Sequence, residues 1–458
     1  MKPLSADEIR QAVHGQWLSR GSEVTVQGVS IDSRTAGVGQ LFVAIRGPRH
    51  DGHDYMPQAA EAGCVAALVD RHAKVTGDLA GLFVGGLIRV DDTVKGLGEL
   101  AGVHRRQLPA TVVAVTGSNG KTTVKRMIHH ILSRRLKGQA SDKSFNNAIG
   151  LPLSLLSVVP TDDYVICEIG TNAPGEVLAL ARMARPDIAV ITSVSEAHLE
   201  GLGDVQQVAV EKASLLSALE SNGIAVVCGD SNALNRALLA YDSRIIQFGE
   251  CDDCQLRLTG YRAMPIGQQF QLNDRLWVDL PVPGEHNARN ALAAIAVAQR
   301  LGFSQDEAAA ALSDFQGVAM RLQVVDAGPV RMINDAYNAN PASVMAAWNV
   351  VQDIPAVRRV LVLGDMLELG HQAEQLHRRV GEDIAKGPVD LLIGVGSLAR
   401  FIALGAAAEG IATATFETTE AAAAGAPALL TDGDVVLIKG SRSMGMERVV
   451  QAIGEKFS

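Results

Sequence analysis

Short apolar runs alternating with amphipathic stretches organise this chain into three blocks. In residues 1–91, runs rich in β-branched and aromatic residues at 28–34, 41–47, 65–70 and 88–91 predict strands, separated by loops of Gly, His and Asp. The pattern predicts a small α/β domain. In residues 92–315 a helical segment, TVKGLGELAGVHRR, leads into a strand at Thr111–Thr116. Further apolar runs follow at 164–170, 188–194 and 224–230, and the block closes on a helix in HNARNALAAIAVAQRLG. Strands that are apolar on both faces and alternate with helices predict a parallel sheet, because helices must cover both faces. In residues 316–458, strands at 330–334, 360–364, 391–396 and 435–439 alternate with helices again, which predicts a Rossmann-like domain. The alanine-rich stretch 421–430 reads as ordinary helix and loop.

Composition bounds the function. A chain of 458 residues holds two to four domains of roughly 100–200 residues each. With 47% hydrophobic and 20% charged residues it has ample core-forming material. A net charge of −9 argues against a general nucleic-acid binder and leaves open a local basic pocket for phosphates. No uncharged apolar run approaches the roughly 18–20 residues of a membrane span. The N-terminus, MKPLSADEIRQAVHGQW, lacks the apolar core of a signal peptide, so a cytoplasmic protein without membrane insertion is expected. Five scattered cysteines suit a reducing compartment. Cys251 and Cys254 form a CxxC in an acidic loop, with no further residues that would make it a zinc or redox site.

The sharpest chemical signal is VVAVTGSNGKTT, residues 112–123: a buried strand, a glycine-rich turn and the start of a helix. Gly117 and Gly120 let backbone N–H groups around Ser118 and Asn119 point at phosphate oxygens, and the helix N-terminus adds partial positive charge. Lys121 brings a full charge to the β- and γ-phosphates. Thr122 offers a hydroxyl to Mg²⁺, with Thr123 beside it. The strict GxxxxGK[ST] pattern would want glycine at position 115, where this chain has Val115; the shorter TGxxGKT[ST] form remains. A glycine turn with a surface lysine is the bland alternative. Glu168 ends the strand run YVICEIG, at the edge where doubly wound sheets bind ligands, and can hold the nucleotide's Mg²⁺ or simply be a solvated carboxylate. His198, in ITSVSEAHLEGLG, taken alone reads as a satisfied loop histidine. Lys212, in AVEKASLL, taken alone reads as a surface lysine.

TGSNGKTT, EIGTN, AHLEG and a lysine fourteen positions after the histidine together resemble the central domain of the Mur ligase family. In that family the lysine is carbamylated by CO₂, which turns a cation into an anion with two oxygen ligands suited to Mg²⁺. The resemblance implies ATP as cosubstrate and two Mg²⁺ sites, one at Thr122 and Glu168 and a second at His198 and Lys212. PGEHNARNALAA is similar to the family's adenine-contacting motif, which implies nucleotide contacts for Asn287 and Asn290; Asn287 can equally cap a helix. Arg321, in GVAMRLQ, matches the arginine that reaches the γ-phosphate, with an interdomain salt bridge as the alternative. In INDAYNANPAS, the resemblance implies that Asp335 holds the ribose, that Tyr337 lies near the nucleotide, and that Asn338 and Asn340 shape the site.

Within the family, DAYNANPAS, LGDMLELG and IKGSR look like the member that adds D-alanyl-D-alanine, and the Asp-Asn-Pro-Arg motif of the ligase for the third peptide residue is missing. The resemblance covers almost the whole chain. It implies three α/β domains: 1–91 holding the UDP end of a UDP-N-acetylmuramoyl-tripeptide, 92–315 binding ATP, and 316–458 binding the amine substrate D-alanyl-D-alanine and closing on ATP. A monomer is the expected working unit. SIDSR, GQLFVAIRG and DGHDY resemble the UDP-holding domain, so Ser33 and Arg34 are implied uridine or phosphate contacts; Asp32 and Arg34 can instead form a structural ion pair. Phe145, Asn146 and Asn147 in SFNNAIGLP match a loop placed at the muramoyl-peptide, or serve turn chemistry alone. Two rivals stay in view. A folylpolyglutamate-synthase-like ligase would share the phosphate loop and lysine and lack the UDP-type block. A P-loop switch or motor would not need EHNARN, Arg321 and DAYNAN in this order. A requirement for both a carboxylate and an amine cosubstrate separates them.

Overall fold

The computed structural model describes residues 1–74, 77–142, 144–264 and 267–457. Its central element is the strand Thr111–Thr116, in which Val112 to Val115 are fully buried. It lies in a nine-stranded sheet between Tyr164–Glu168 on one side and Ile188–Ile191 on the other, parallel to both. The chain leaves Thr116, builds the strands on one side, then crosses to build those on the other. That reversal opens a crevice at the C-terminal ends of the strands. Ile224–Cys228 and Arg244–Gly249 extend the parallel run. The sheet is also longer than the parallel pattern predicts. Leu256–Ala263, Gln268–Leu272 and Leu276–Leu280 add an antiparallel meander at one edge. Their inward residues Leu258, Phe270, Leu272, Val278 and Leu280 alternate with polar outward ones, the mark of a half-buried strand.

Two further large sheets flank this one, besides a two-stranded pairing of Leu4–Ser5 with Thr25–Val26. The first orders Gln16–Arg20, Gly86–Val90, Ala66–Asp70, Gln40–Val43 and Gly28–Ser30, antiparallel only at its outer Gln16–Arg20 pairing. The third orders Gln323–Ala327, Val330–Asp335, Asp434–Lys439, Arg358–Gly364, Leu391–Val395 and Ala412–Phe416, parallel except for the first pair. Its core, around the buried Trp348, also takes in Leu199, Leu202 and Val208 of the central unit, so the two units share an apolar contact. Among the described residues no helix is long and apolar enough to cross a membrane. Cys251 and Cys254, without a role in the sequence, are joined as a disulfide in the acidic loop, while Cys64, Cys167 and Cys228 are free and buried.

The helix Thr93–Arg105 connects the first and central sheets, and its last residue anchors it. The buried Arg105 guanidinium donates to the carbonyls of Ala184 (2.8 Å) and Arg185 (2.7 Å), at the C-terminus of helix Glu176–Ala184, and to the Asp187 carboxylate (2.8 Å). A cation at a helix C-terminus is favoured by the exposed carbonyls and the dipole. Replacing Arg105 by Met would strip all three acceptors of their donor. We expect a loss of about 3 kcal/mol, read as a lowered midpoint in urea denaturation. Glu220→Gln, at the exposed Arg185–Glu220 pair, should cost less than about 1 kcal/mol.

Candidate active site

The C-terminal ends of the central and third sheets face each other across a cleft of about 790 Å³. The phosphate loop forms one wall. Gly117 and Gly120 both have positive φ, 150° and 84°. A Cβ at Gly117 would collide with the Thr192 hydroxyl, and one at Gly120 with the Asn290 side chain, so this loop requires glycine twice over. Lys121 opens the helix Lys121–Leu132 and folds back to donate to the Gly117 carbonyl at 2.7 Å. Burial depresses its ammonium pKa, partly offset by the Glu168 carboxylate.

Glu168 is the most heavily coordinated carboxylate of the cleft. Thr122 Oγ1 donates to its Oε2 at 2.9 Å, and Asn146 Nδ2 donates to its Oε1 at 3.1 Å. From below, the fully buried Lys125 lies 3.3 Å from Oε2 and donates to the Ser141 carbonyl and hydroxyl at 2.9 and 3.2 Å. Lys125 has no role in the sequence reading. Its spacing, one helical turn after Lys121 on an otherwise apolar face, is the signal that could have found it. The adjacent Thr122 hydroxyl and Glu168 carboxylate make a pair of hard oxygen donors, which fits Mg²⁺.

His198 lines the cleft in a left-handed conformation, φ 57°. Its Nδ1 is 2.6 Å from Glu368 Oε2, in the LGDMLELG segment of the third unit, and this pairing lowers the Glu368 pKa. Lys212 is buried, on the helix Val205–Ala213, and makes no hydrogen bond or ion pair among the described residues. Burial, and then repulsion from Lys121, push its pKa well below that of an ordinary lysine. The nearby Glu211 offsets this only in part; its carboxylate accepts from the Gly175 and Val177 N–H groups, each at 2.8 Å.

The third unit supplies the opposite wall. Arg321 stacks over the Tyr337 ring, 4.2 Å from its centre, and the Tyr337 hydroxyl meets Ser144 of the central unit. Asn119 and Asn340 exchange amide hydrogen bonds of 3.3 and 2.8 Å, and Asn340 also caps the helix Pro341–Asp353. Asn338 lines the cleft beside them, with Asn147 and Ser118 across from it. Several other residues lie apart from the open space. Asp335 is buried in an ion pair with Lys439 and accepts from the Leu322 N–H. Asn287 and Asn290 are buried behind Gly120, where Asn287 donates to the Pro283 carbonyl and accepts from Asn290. Thr123 lies within the helix, outside the cleft lining. Ser33 and Arg34 are in the first unit, also outside the cleft lining; Arg34 is 85% exposed and forms a two-pronged pair with Asp32, whose pKa it lowers to about 2.

Comparison with known proteins follows this division. Family models match three consecutive stretches: "Mur ligase family, catalytic domain" at residues 25–109, "Mur ligase middle domain" at 115–298, and "Mur ligase, glutamate ligase domain" at 320–442. The UDP-N-acetylmuramoyl-tripeptide–D-alanyl-D-alanine ligase of Escherichia coli is 36% identical over 444 residues, 95% of each chain. Among solved structures, MurF from Acinetobacter baumannii superposes with a TM-score of 0.89 at 30% identity over 99% of both chains. MurF from Thermotoga maritima in complex with ADP gives 0.83 at 26% identity, covering 94% of this chain and 98% of that one. With sequence similarity running through all three sheets and their facing edges, the chain belongs to the Mur ligase family.

Proposed function

We propose that the protein is an ATP-dependent ligase that joins the terminal carboxylate of UDP-N-acetylmuramoyl-tripeptide to the amine of D-alanyl-D-alanine, in peptidoglycan precursor synthesis. The observation that carries this reading is one cleft in which Lys121, the Thr122–Glu168 oxygen pair, His198 and Arg321 of the next unit all meet. The activity of the Escherichia coli relative supports the two peptide substrates, and the ADP complex of the Thermotoga maritima protein supports ATP as the nucleotide.

In this mechanism the tripeptide carboxylate attacks the γ-phosphate of ATP. A carbon–oxygen–phosphorus link forms, and ADP leaves. The amine of D-alanyl-D-alanine then attacks the acyl carbon, loses a proton and expels phosphate. Two anions must approach before the first step, and Lys121 and Arg321 reduce their repulsion. Mg²⁺, when bound at Thr122 and Glu168, supplies further charge neutralisation at the phosphates. Lys125 and Asn146 hold the Glu168 carboxylate in place. The third unit, docked through Asn340 and Glu368, keeps water from the acyl phosphate.

The unpaired, pKa-depressed Lys212 suits carbamylation, because only a neutral amine adds to CO₂. The resulting anion, together with His198, would supply the second Mg²⁺ site that the family resemblance implies. The exposed Arg34 has donors to spare for an anionic or carbonyl group of the UDP end.

Phosphate release should require ATP, UDP-muramoyl-tripeptide and D-alanyl-D-alanine together; equal release without the dipeptide would overturn the reading. Lys212→Ala should lose most turnover, and formate or acetate filling the vacated space should restore part of it. His198→Ala should not respond to these acids, and full activity of Lys212→Ala would exclude the carbamate. Calorimetry on Arg34→Ala should show weakened binding of the UDP substrate with ATP affinity little changed; equal losses for both ligands would count against this division of labour.

A further inference from the structure

We propose that Glu368 is a positioning residue that fixes the tautomer of His198, so that a metal-binding nitrogen is presented only when the third unit is docked. An ionised carboxylate can only accept a hydrogen bond, so the 2.6 Å contact makes His198 Nδ1 the donor. A neutral imidazole then carries its lone pair on Nε2, which makes no hydrogen bond among the described residues, on a ring that lines the cleft. Without Glu368, the ring is free to turn and to place its proton on either nitrogen. Carboxylates behind metal-bound histidines characteristically perform this task.

The surroundings hold Glu368 to it. Glu368 has φ 63°, sparsely populated for a residue with a Cβ, and it faces His198, which is itself left-handed at 57°. The Glu368 carbonyl accepts from the Glu200 N–H at 3.0 Å, so main chain as well as side chain crosses between the units. Behind it, the Met366 N–H donates to the buried His377 Nε2 at 2.9 Å, and the Leu367 N–H donates to Ser441 Oγ at 2.8 Å. The Asp365 carboxylate accepts from the Leu398 and Ala399 N–H groups. The loop is therefore a rigid projection of the third sheet. A second contact between the units, the Arg379–Glu196 ion pair, touches neither ring nitrogen of His198 and provides an internal control.

The proposal rests on the reading of His198 as a metal ligand in the ligase site, and the test separates the two. Mn²⁺ binding to the full-length protein in the presence of ADP would be measured by electron paramagnetic resonance of the free ion, alongside ligation kinetics. Glu368→Ala should weaken the His198-dependent Mn²⁺ class about 10–100-fold, and His198→Ala should weaken it at least as much. Glu368→Gln, which keeps an acceptor oxygen, should recover part of the loss. Arg379→Ala should stay within about threefold of the parent. Unchanged Mn²⁺ affinity in Glu368→Ala overturns the proposal, and so does an equal loss in Arg379→Ala, which would reduce Glu368 to a docking contact. If the parent protein binds Mn²⁺ and makes no ligated product, the ligase reading fails while the binding comparison still decides the role of Glu368.

Discussion

A parallel sheet offers ligands only one edge, because its strand-to-helix turns, and the helix N-termini they start, collect at the C-terminal ends of the strands. This protein places two such edges opposite each other. Thr116, Glu168 and Ile191 lead from the central sheet into one wall of the cleft, and Asp335, Gly364 and Lys439 lead from the third sheet into the other. Lys121, Thr122, His198, Tyr337, Asn338, Asn340 and Glu368 all follow one of these ends within about two turns of chain. The antiparallel meander beyond Leu256 contributes nothing to the cleft lining; it covers part of the core under the helix Glu285–Arg300.

Burying an ammonium group is expensive unless it is paired, and the three most buried lysines are treated differently. Lys125 rests against Glu168 and Ser141, and Lys439 against Asp335 and the Asn338 carbonyl. Both act as struts that fix polar loops from the interior. Lys212 has no such partner among the described residues, and burial disfavours its charged form. That contrast is the structural observation behind the carbamate proposed for Lys212.

What the sequence reveals depends on how local the determinant is. The strand Thr111–Thr116 and the phosphate loop after it are legible because apolar run, glycines and helix start follow one another directly. The inner parallel strands of the larger sheets show similar apolar runs, whereas the parallel strands Gly138–Ala140, Arg244–Gly249 and Ala412–Phe416, shorter or more polar and nearer the sheet edges, do not stand out. The meander from 256 to 280 was not legible, since short strands with polar outward faces resemble loop composition. Roles that depend on distant partners were hidden too. Lys125 needs Glu168, 43 positions on, to have a purpose, and Glu368 acquires one from His198, 170 positions away. At Asp335 the structure adds a partner that the sequence does not show: its carboxylate is paired with Lys439 from the neighbouring strand.

The reciprocal amide pair between Asn119 and Asn340 also bears on docking. Each partner is uncharged, so the contact is indifferent to ionic strength and to the charge of whatever nucleotide lies beside it. Two such bonds favour the docked arrangement by about 2 kcal/mol, a ratio of roughly thirty to one. This is one contribution among several, beside the Arg379–Glu196 ion pair, the His198–Glu368 contact and the shared apolar core, and unlike the two ionic contacts it does not depend on charge.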